Sequence, residues 1–302
     1  MNTSEIIKRI SQVVKNLPYL PDVLLPLDSK APWSELNPGN YESSHHFASA
    51  VRSAILPIYA PFREVPHLPY EVPERGQAIN DNEAWFFLNG ICTDRSVLRL
   101  NGKALADVFQ RKIYLMHNPS DGIFLDLLEC AAGLTLQPVS TLETSVANIL
   151  EESLNTHSKV ILIAHSQGGI IATGALYTLA KNLGANRSRL LKKLELYTFA
   201  SAAKELKLPE VYSEHFCHTD DYVARIGVAG NQKNFSGRLF NYKAKGHLLN
   251  AHYLKNLTEN KFVALDGAKS RLVERIQTTP KLTPKSAAIT KHKKTSQKVS
   301  LA

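Results

Sequence analysis

Apolar residues along the chain recur with two periods. Ala84-Trp85-Phe86-Phe87-Leu88, Lys112 to Met116, Val160 to Ala164 and Leu194 to Phe199 are short, uninterrupted runs of strand formers. Between them the period changes to that of a helix. Ser96 to Phe109 and Gly168 to Ala180 read as helices, and a third is expected after Ser140, which with Glu143 resembles a capping box ahead of Leu142, Val146, Ile149 and Leu150. Strands that alternate with helices predict a parallel sheet, and a parallel sheet with both faces covered predicts three layers.

The chain ahead of this pattern differs in texture. Ser4 to Leu17 places Ile6, Ile7, Ile10, Val13, Val14 and Leu17 at helical spacing, which predicts an amphipathic helix. Ten prolines between Pro18 and Pro73 leave little room for long elements, except around Phe47 to Leu56. The expected organisation is an N-terminal extension over 1–82, a catalytic domain over 83–275 and a tail over 276–302.

Charge changes the picture only locally. The net charge is +9, and six lysines (281, 285, 291, 293, 294 and 298) fall after Pro280 with no acidic residue, so 6 of the 9 excess charges lie in the tail. A Ser/Thr/Lys-rich tail of this kind is expected to be disordered, with peripheral contact to an anionic membrane as a minority reading. Without aromatic residues or a binding module it gives no expectation of nucleic acid. Cys92, Cys130 and Cys217 stand far apart, indicating neither disulfides nor a zinc site, and the histidines show no ligand spacing, so no metal or other cofactor is expected. The residues up to Lys15 lack the apolar core of a secretory leader, and Val160 to Ala180 is interrupted by His165, Ser166 and Gln167, so a cytoplasmic location is expected.

The candidate chemistry centres on Ala164-His165-Ser166-Gln167-Gly168. A buried strand leads into this turn and a helix leaves it, which is the setting of a nucleophile elbow. Small residues two positions either side of the serine permit the sharp turn, and the helix N-terminus favours a developing oxyanion. A serine hydroxyl needs a base to take its proton and an acid to orient that base. Downstream, His218-Thr219-Asp220-Asp221 ends a short apolar strand and offers Asp221, with Asp220 as the alternative. Gly246-His247-Leu248-Leu249-Asn250-Ala251-His252 opens a helical pattern and offers His247 as the base, with His252 as the alternative. The oxyanion donors expected are the amide of Gln167 and that of Ile91 or Cys92, in the loop after the first recognised strand, where Gly90 permits close approach.

Taken together, Ala164-His-Ser-Gln-Gly168, Tyr197-Thr-Phe-Ala-Ser-Ala202, Asp221-Tyr-Val-Ala-Arg-Ile226 and Gly246-His247 resemble the lipase-like branch of the α/β-hydrolase superfamily, similar to class 3 lipases and related serine esterases, over residues 83 to 258. The D-x-V-x-R-[IL] spacing marks the triad acid in those lipases, which favours Asp221 over Asp220. The sequence departs from them at Ala164, where glycine is common, at Gln167, where leucine is common, and in the histidine segment, so His247 and His252 both stay open. The resemblance implies an α/β-hydrolase fold, a small-molecule ester or lipid substrate and ester hydrolysis through an acyl-enzyme. Acyl transfer by the same triad and a non-catalytic scaffold are the alternatives. Ser120 to Leu136 is apolar enough to wall an acyl pocket, form a lid or serve as an ordinary core helix.

Overall fold

The structure, a computed structural model, describes residues 11–12, 14–55, 70–71, 82–90, 93–118 and 139–277. Eight strands form one sheet: β1 Tyr70–Glu71, β2 Glu83–Leu88, β3 Ile113–Met116, β4 Lys159–His165, β5 Leu194–Phe199, β6 Tyr212–His218, β7 Arg238–Tyr242 and β8 Val263–Ala264. Their order is β1-β3-β2-β4-β5-β6-β7-β8. The six central strands run parallel, and only the two-residue edge strands pair antiparallel.

The period of two in each strand sends successive side chains to opposite faces, and each face has its own cover. Besides the helical residues 11–12 and 14–16, eight helices are described: α1 Ser44–Ile55, α2 Arg95–Phe109, α3 Val139–Thr156, α4 Gly168–Asn182, α5 Arg187–Leu191, α6 Tyr222–Ile226, α7 Lys255–Thr258 and α8 Arg271–Gln277. Ala84, Phe86, Leu88, Val160, Leu162 and Ala164 pack against α3, α4 and α5. Trp85, Phe87, Ile161, Ile163, Tyr197 and Phe199 pack against α2, α7, α8 and a π-helical turn, Leu249–Leu254. This is the three-layer arrangement expected, and with the β3-β2-β4 crossover and the turn at Ser166 it is the α/β-hydrolase fold. Ligands of open α/β sheets gather outside the carboxyl ends of the strands near such a reversal of strand order.

The recognised strands and helices fall where the pattern puts them, within a residue or two at their ends. Two readings change. Helix α3 begins at Val139, one residue ahead of Ser140, so Ser140 sits in the first turn instead of capping it. The Pro-rich segment holds α1 where an element was expected around Phe47 to Leu56, and in addition a 3₁₀ helix over Leu17–Leu24. Residues 4–10 of the expected first helix, Ser120 to Leu136, and the tail beyond 277 lie outside the described residues. No helix among the described residues is long and apolar enough to cross a membrane.

Candidate active site

Strand β4 ends in a turn that the backbone must be forced to make. Ser166 takes φ = 57°, a left-handed conformation that costs an L-residue about 1–2 kcal/mol. Three hydrogen bonds hold it there: Ser166 N donates to Phe199 O (3.0 Å), and Ser166 O accepts from Gly169 N (3.0 Å) and Ala202 N (3.1 Å). The last explains the Ala200-Ser201-Ala202 run after β5, which doubles back to support the serine. A Cβ on Gly168 would lie 2.6 Å from both Leu88 O and Asn89 O, and one on Gly90 would lie 2.6 Å from the Ser166 Cβ. The turn is thus sandwiched against the end of β2 with no room for a side chain at either position.

The turn projects Ser166 Oγ towards His247, whose Nε2 lies 2.9 Å away. His247 Nδ1 lies 2.8 Å from Asp221 Oδ2. All three residues are buried: Ser166 is 2% exposed, His247 8% and Asp221 0%. This geometry can pass the serine proton to an imidazole whose other nitrogen is oriented by a carboxylate. Burial pushes the Asp221 carboxyl up, but the facing His247 charge and hydrogen bonds from His247 and Tyr253 more than offset it, holding the group below its ordinary range. Tyr253 Oη donates to Asp221 Oδ2 at 2.7 Å, and Asp221 Oδ1 caps α6 by accepting from Val223 N at 2.9 Å.

The alternates occupy other places. Asp220 accepts from the Thr219 hydroxyl at 3.4 Å and donates its amide to Ala244 O at 3.1 Å. His252 Nε2 donates to Pro26 O (2.8 Å) and its Nδ1 accepts from Leu248 N (3.0 Å), so both of its nitrogens are engaged with backbone. The structure therefore joins Ser166 to His247 and Asp221, and leaves Asp220 and His252 outside that chain of hydrogen bonds.

The loop that carries His247 has nearly every backbone polar group tied down. Gly246 O accepts from His218 Nδ1 (3.0 Å), and His247 O accepts from His165 Nε2 (2.8 Å). Burial depresses both imidazoles, His165 to about 3 and His218 to about 4, so each stays neutral and keeps its proton on the nitrogen that faces the carbonyl. Gly246 has φ = 90°, and a Cβ there would meet His252 Nδ1 at 2.4 Å, so His252 and Gly246 fit only as a pair.

Of the expected oxyanion donors, Gln167 is placed at the start of α4, where its amide meets no acceptor among the described residues. Ile91 and Cys92 lie outside the described residues. The ends of β2 and β3 beside them are bracketed by two asparagines. Asn118 N donates to Asn89 Oδ1 (2.7 Å), Asn89 Nδ2 donates to Asn118 O (3.0 Å) and Gly90 O (2.7 Å), and Asn118 Nδ2 donates to Gln167 Oε1 (2.6 Å). Asn89 and Asn118 each stand one or two residues past a strand that the sequence reveals, and that shared offset is the signal by which they could have been found.

Residues 109–204 match the family described as "Putative serine esterase (DUF676)". The match includes the Ser166 turn, while Asp221 and His247 lie beyond it. None of the curated proteins compared matches this sequence. Similar solved structures include a dienelactone hydrolase from Anabaena variabilis (14% identity, TM-score 0.39, covering 66% of this chain and 97% of that one). Others are esterase PE8 (17%, 0.40, covering 66% and 100%) and an esterase from Pyrobaculum calidifontis (10%, 0.38, covering 66% and 81%).

Proposed function

We propose that this protein is a serine hydrolase that cleaves carboxylic esters through an acyl-enzyme on Ser166. The observation that carries the reading is the unbroken relay from Ser166 Oγ through His247 to Asp221, with contacts of 2.9 and 2.8 Å. The match of the Ser166 segment to a serine esterase family supports it.

In this mechanism His247 Nε2 takes the hydroxyl proton as Ser166 Oγ attacks the ester carbonyl. Asp221 fixes the tautomer with the proton on Nδ1 and balances the imidazolium that forms. The Gln167 amide, with the Ile91 or Cys92 amide as its partner, receives the oxyanion. Collapse of the tetrahedral intermediate breaks the bond to the alcohol, which leaves with the proton from His247. Water, deprotonated by the same nitrogen, then attacks the acyl-enzyme and releases the acid. The three-part organisation read from the sequence belongs to this proposal: the extension and tail flank one catalytic unit over 83–275.

A fluorophosphonate probe tests it. Wild type is expected to label at Ser166, and Ser166→Ala to remain unlabelled. On a panel of 4-nitrophenyl esters of graded chain length, His247→Ala is expected to lower kcat by about 10⁶-fold and Asp221→Asn by about 10⁴-fold, as in other triads. Equal labelling of wild type and Ser166→Ala would exclude the reading.

A further inference from the structure

Glu35, far ahead of the first strand, is a buried carboxylate with no cation against it among the contacts described. Its two oxygens accept from two successive amides, Asn250 N at 2.8 Å and Ala251 N at 3.0 Å, which open the π-helical turn directly after His247. Neighbouring residues of the same segment hold the same loop. Val23 O accepts from His247 N (2.8 Å), Pro26 O accepts from His252 Nε2 (2.8 Å), Trp33 O accepts from Asn250 Nδ2 (2.9 Å), and Asp28 pairs with Lys255 (2.5 Å). The amides of His247, Asn250 and Ala251 thus all end on residues 23–35. Besides its own Leu248–His252 bonds and those from His165 and His218, the loop that carries the imidazole is therefore braced by a segment that precedes the sheet.

The choice of a carboxylate is informative. Burying one costs several kcal/mol before compensation, and Ser, Thr or Asn would cap a single amide more cheaply. Only a carboxylate presents two acceptor oxygens in one plane to two adjacent N–H groups, which fixes the direction in which the loop leaves His247. Its charge also faces the His247 ring.

From this geometry we infer that Glu35 is a positioning residue for His247, holding the imidazole in line between Ser166 and Asp221; the inference rests on the reading of those three residues as a catalytic triad. Glu35→Gln keeps the shape but sets an amide NH₂ against a backbone N–H. Glu35→Asp keeps the charge and reaches one amide. The expected result for Glu35→Gln is a kcat about 10- to 100-fold lower, with KM within about twofold of wild type and fluorophosphonate labelling slowed by the same factor. Glu35→Asp is expected to lose less. A second readout does not depend on turnover: the downfield proton resonance of His247 Nδ1–H, identified by its absence in His247→Ala, is expected to broaden and move upfield in Glu35→Gln, with cooperative melting retained. Wild-type kcat together with an unchanged resonance in a folded Glu35→Gln or Glu35→Asp protein would overturn the inference. If wild type neither labels nor turns over esters, the hydrolase reading fails, and the His247 resonance alone decides whether Glu35 positions that ring.

Discussion

At the scale of single residues, one imidazole, His247, lies between a serine and a carboxylate while its neighbours are tied to backbone carbonyls. His165, His218 and His252 each donate to a backbone carbonyl, of His247, Gly246 and Pro26 respectively, and burial holds each pKa down. Three neutral rings therefore act as rigid spacers around a fourth. Tyr253 plays the matching part for the acid. Its hydroxyl donates to Asp221 Oδ2 and accepts from His218 N at 3.0 Å, while its ring stacks on His218 with centroids 3.9 Å apart. Tyr253→Phe keeps the stacking and removes both hydrogen bonds, leaving a buried amide unpaired. A loss of about 2 kcal/mol in urea unfolding is expected, together with an Asp221 carboxyl that moves up towards its ordinary range. Unchanged stability would mean that water replaces the hydroxyl.

Between elements, side chains take over just beyond the paired ends of β2, β3 and β4. Asn89→Ala would leave Asn118 N without its acceptor and Gly90 O and Asn118 O without a donor, all in buried surroundings. A destabilisation of about 2–3 kcal/mol is expected. Asn118→Ser, which keeps the backbone bracket and removes the Gln167 tether, is expected to cost less than about 1 kcal/mol, and comparing the two unfolding midpoints checks the assignment. This bracket also marks where the sequence stopped being readable. Strand β4 was legible because Val160 to Ala164 is wholly apolar and buried on both faces, and Ser166 because its turn demands small neighbours that any sequence must display. Strand β7, Arg238–Tyr242, was missed because Asn241 and Arg238 interrupt its apolar residues near the edge of the sheet, and β1 and β8 because two residues carry no period. His247 and His252 could not be separated because both fall within one helical pattern; the choice depends on what lies opposite each ring. Glu35 had no local signal at all, since its partners lie on a loop after β7 that only the fold brings near.

For the whole molecule, buried neutral histidines, His215 as well as those around the site, set how stability depends on pH. His165 is depressed to about 3, and His215 and His218 to about 4, from an ordinary value of 6.5, mainly by burial. Below pH 6.5 the unfolded chain binds protons that the native protein refuses, so stability falls as pH falls. Each of the three contributes about 2 kcal/mol of loss between pH 7 and pH 5. Glu35 acts with the opposite sign: burial raises its carboxyl, so the native state binds a proton more readily there and stability falls as pH rises above 4.5 towards the folded-state pKa. One carboxyl against three imidazoles does not reverse the trend, and Asp221, held low, begins to oppose folding only in still more acid solution. A loss on the order of 5 kcal/mol is a large part of the about 5–15 kcal/mol that a domain has in reserve. The urea midpoint is therefore expected to drop steeply from pH 7 to pH 5. His215 separates this effect from the site, because it bonds to Thr198 Oγ1 (2.8 Å) and Ser236 O (3.1 Å) and touches none of the three relay residues. His215→Gln is expected to reduce the slope of stability against pH by about a quarter to a third, whatever its effect at pH 7. An identical slope in that variant would show that buried histidines do not govern the acid limit of this fold.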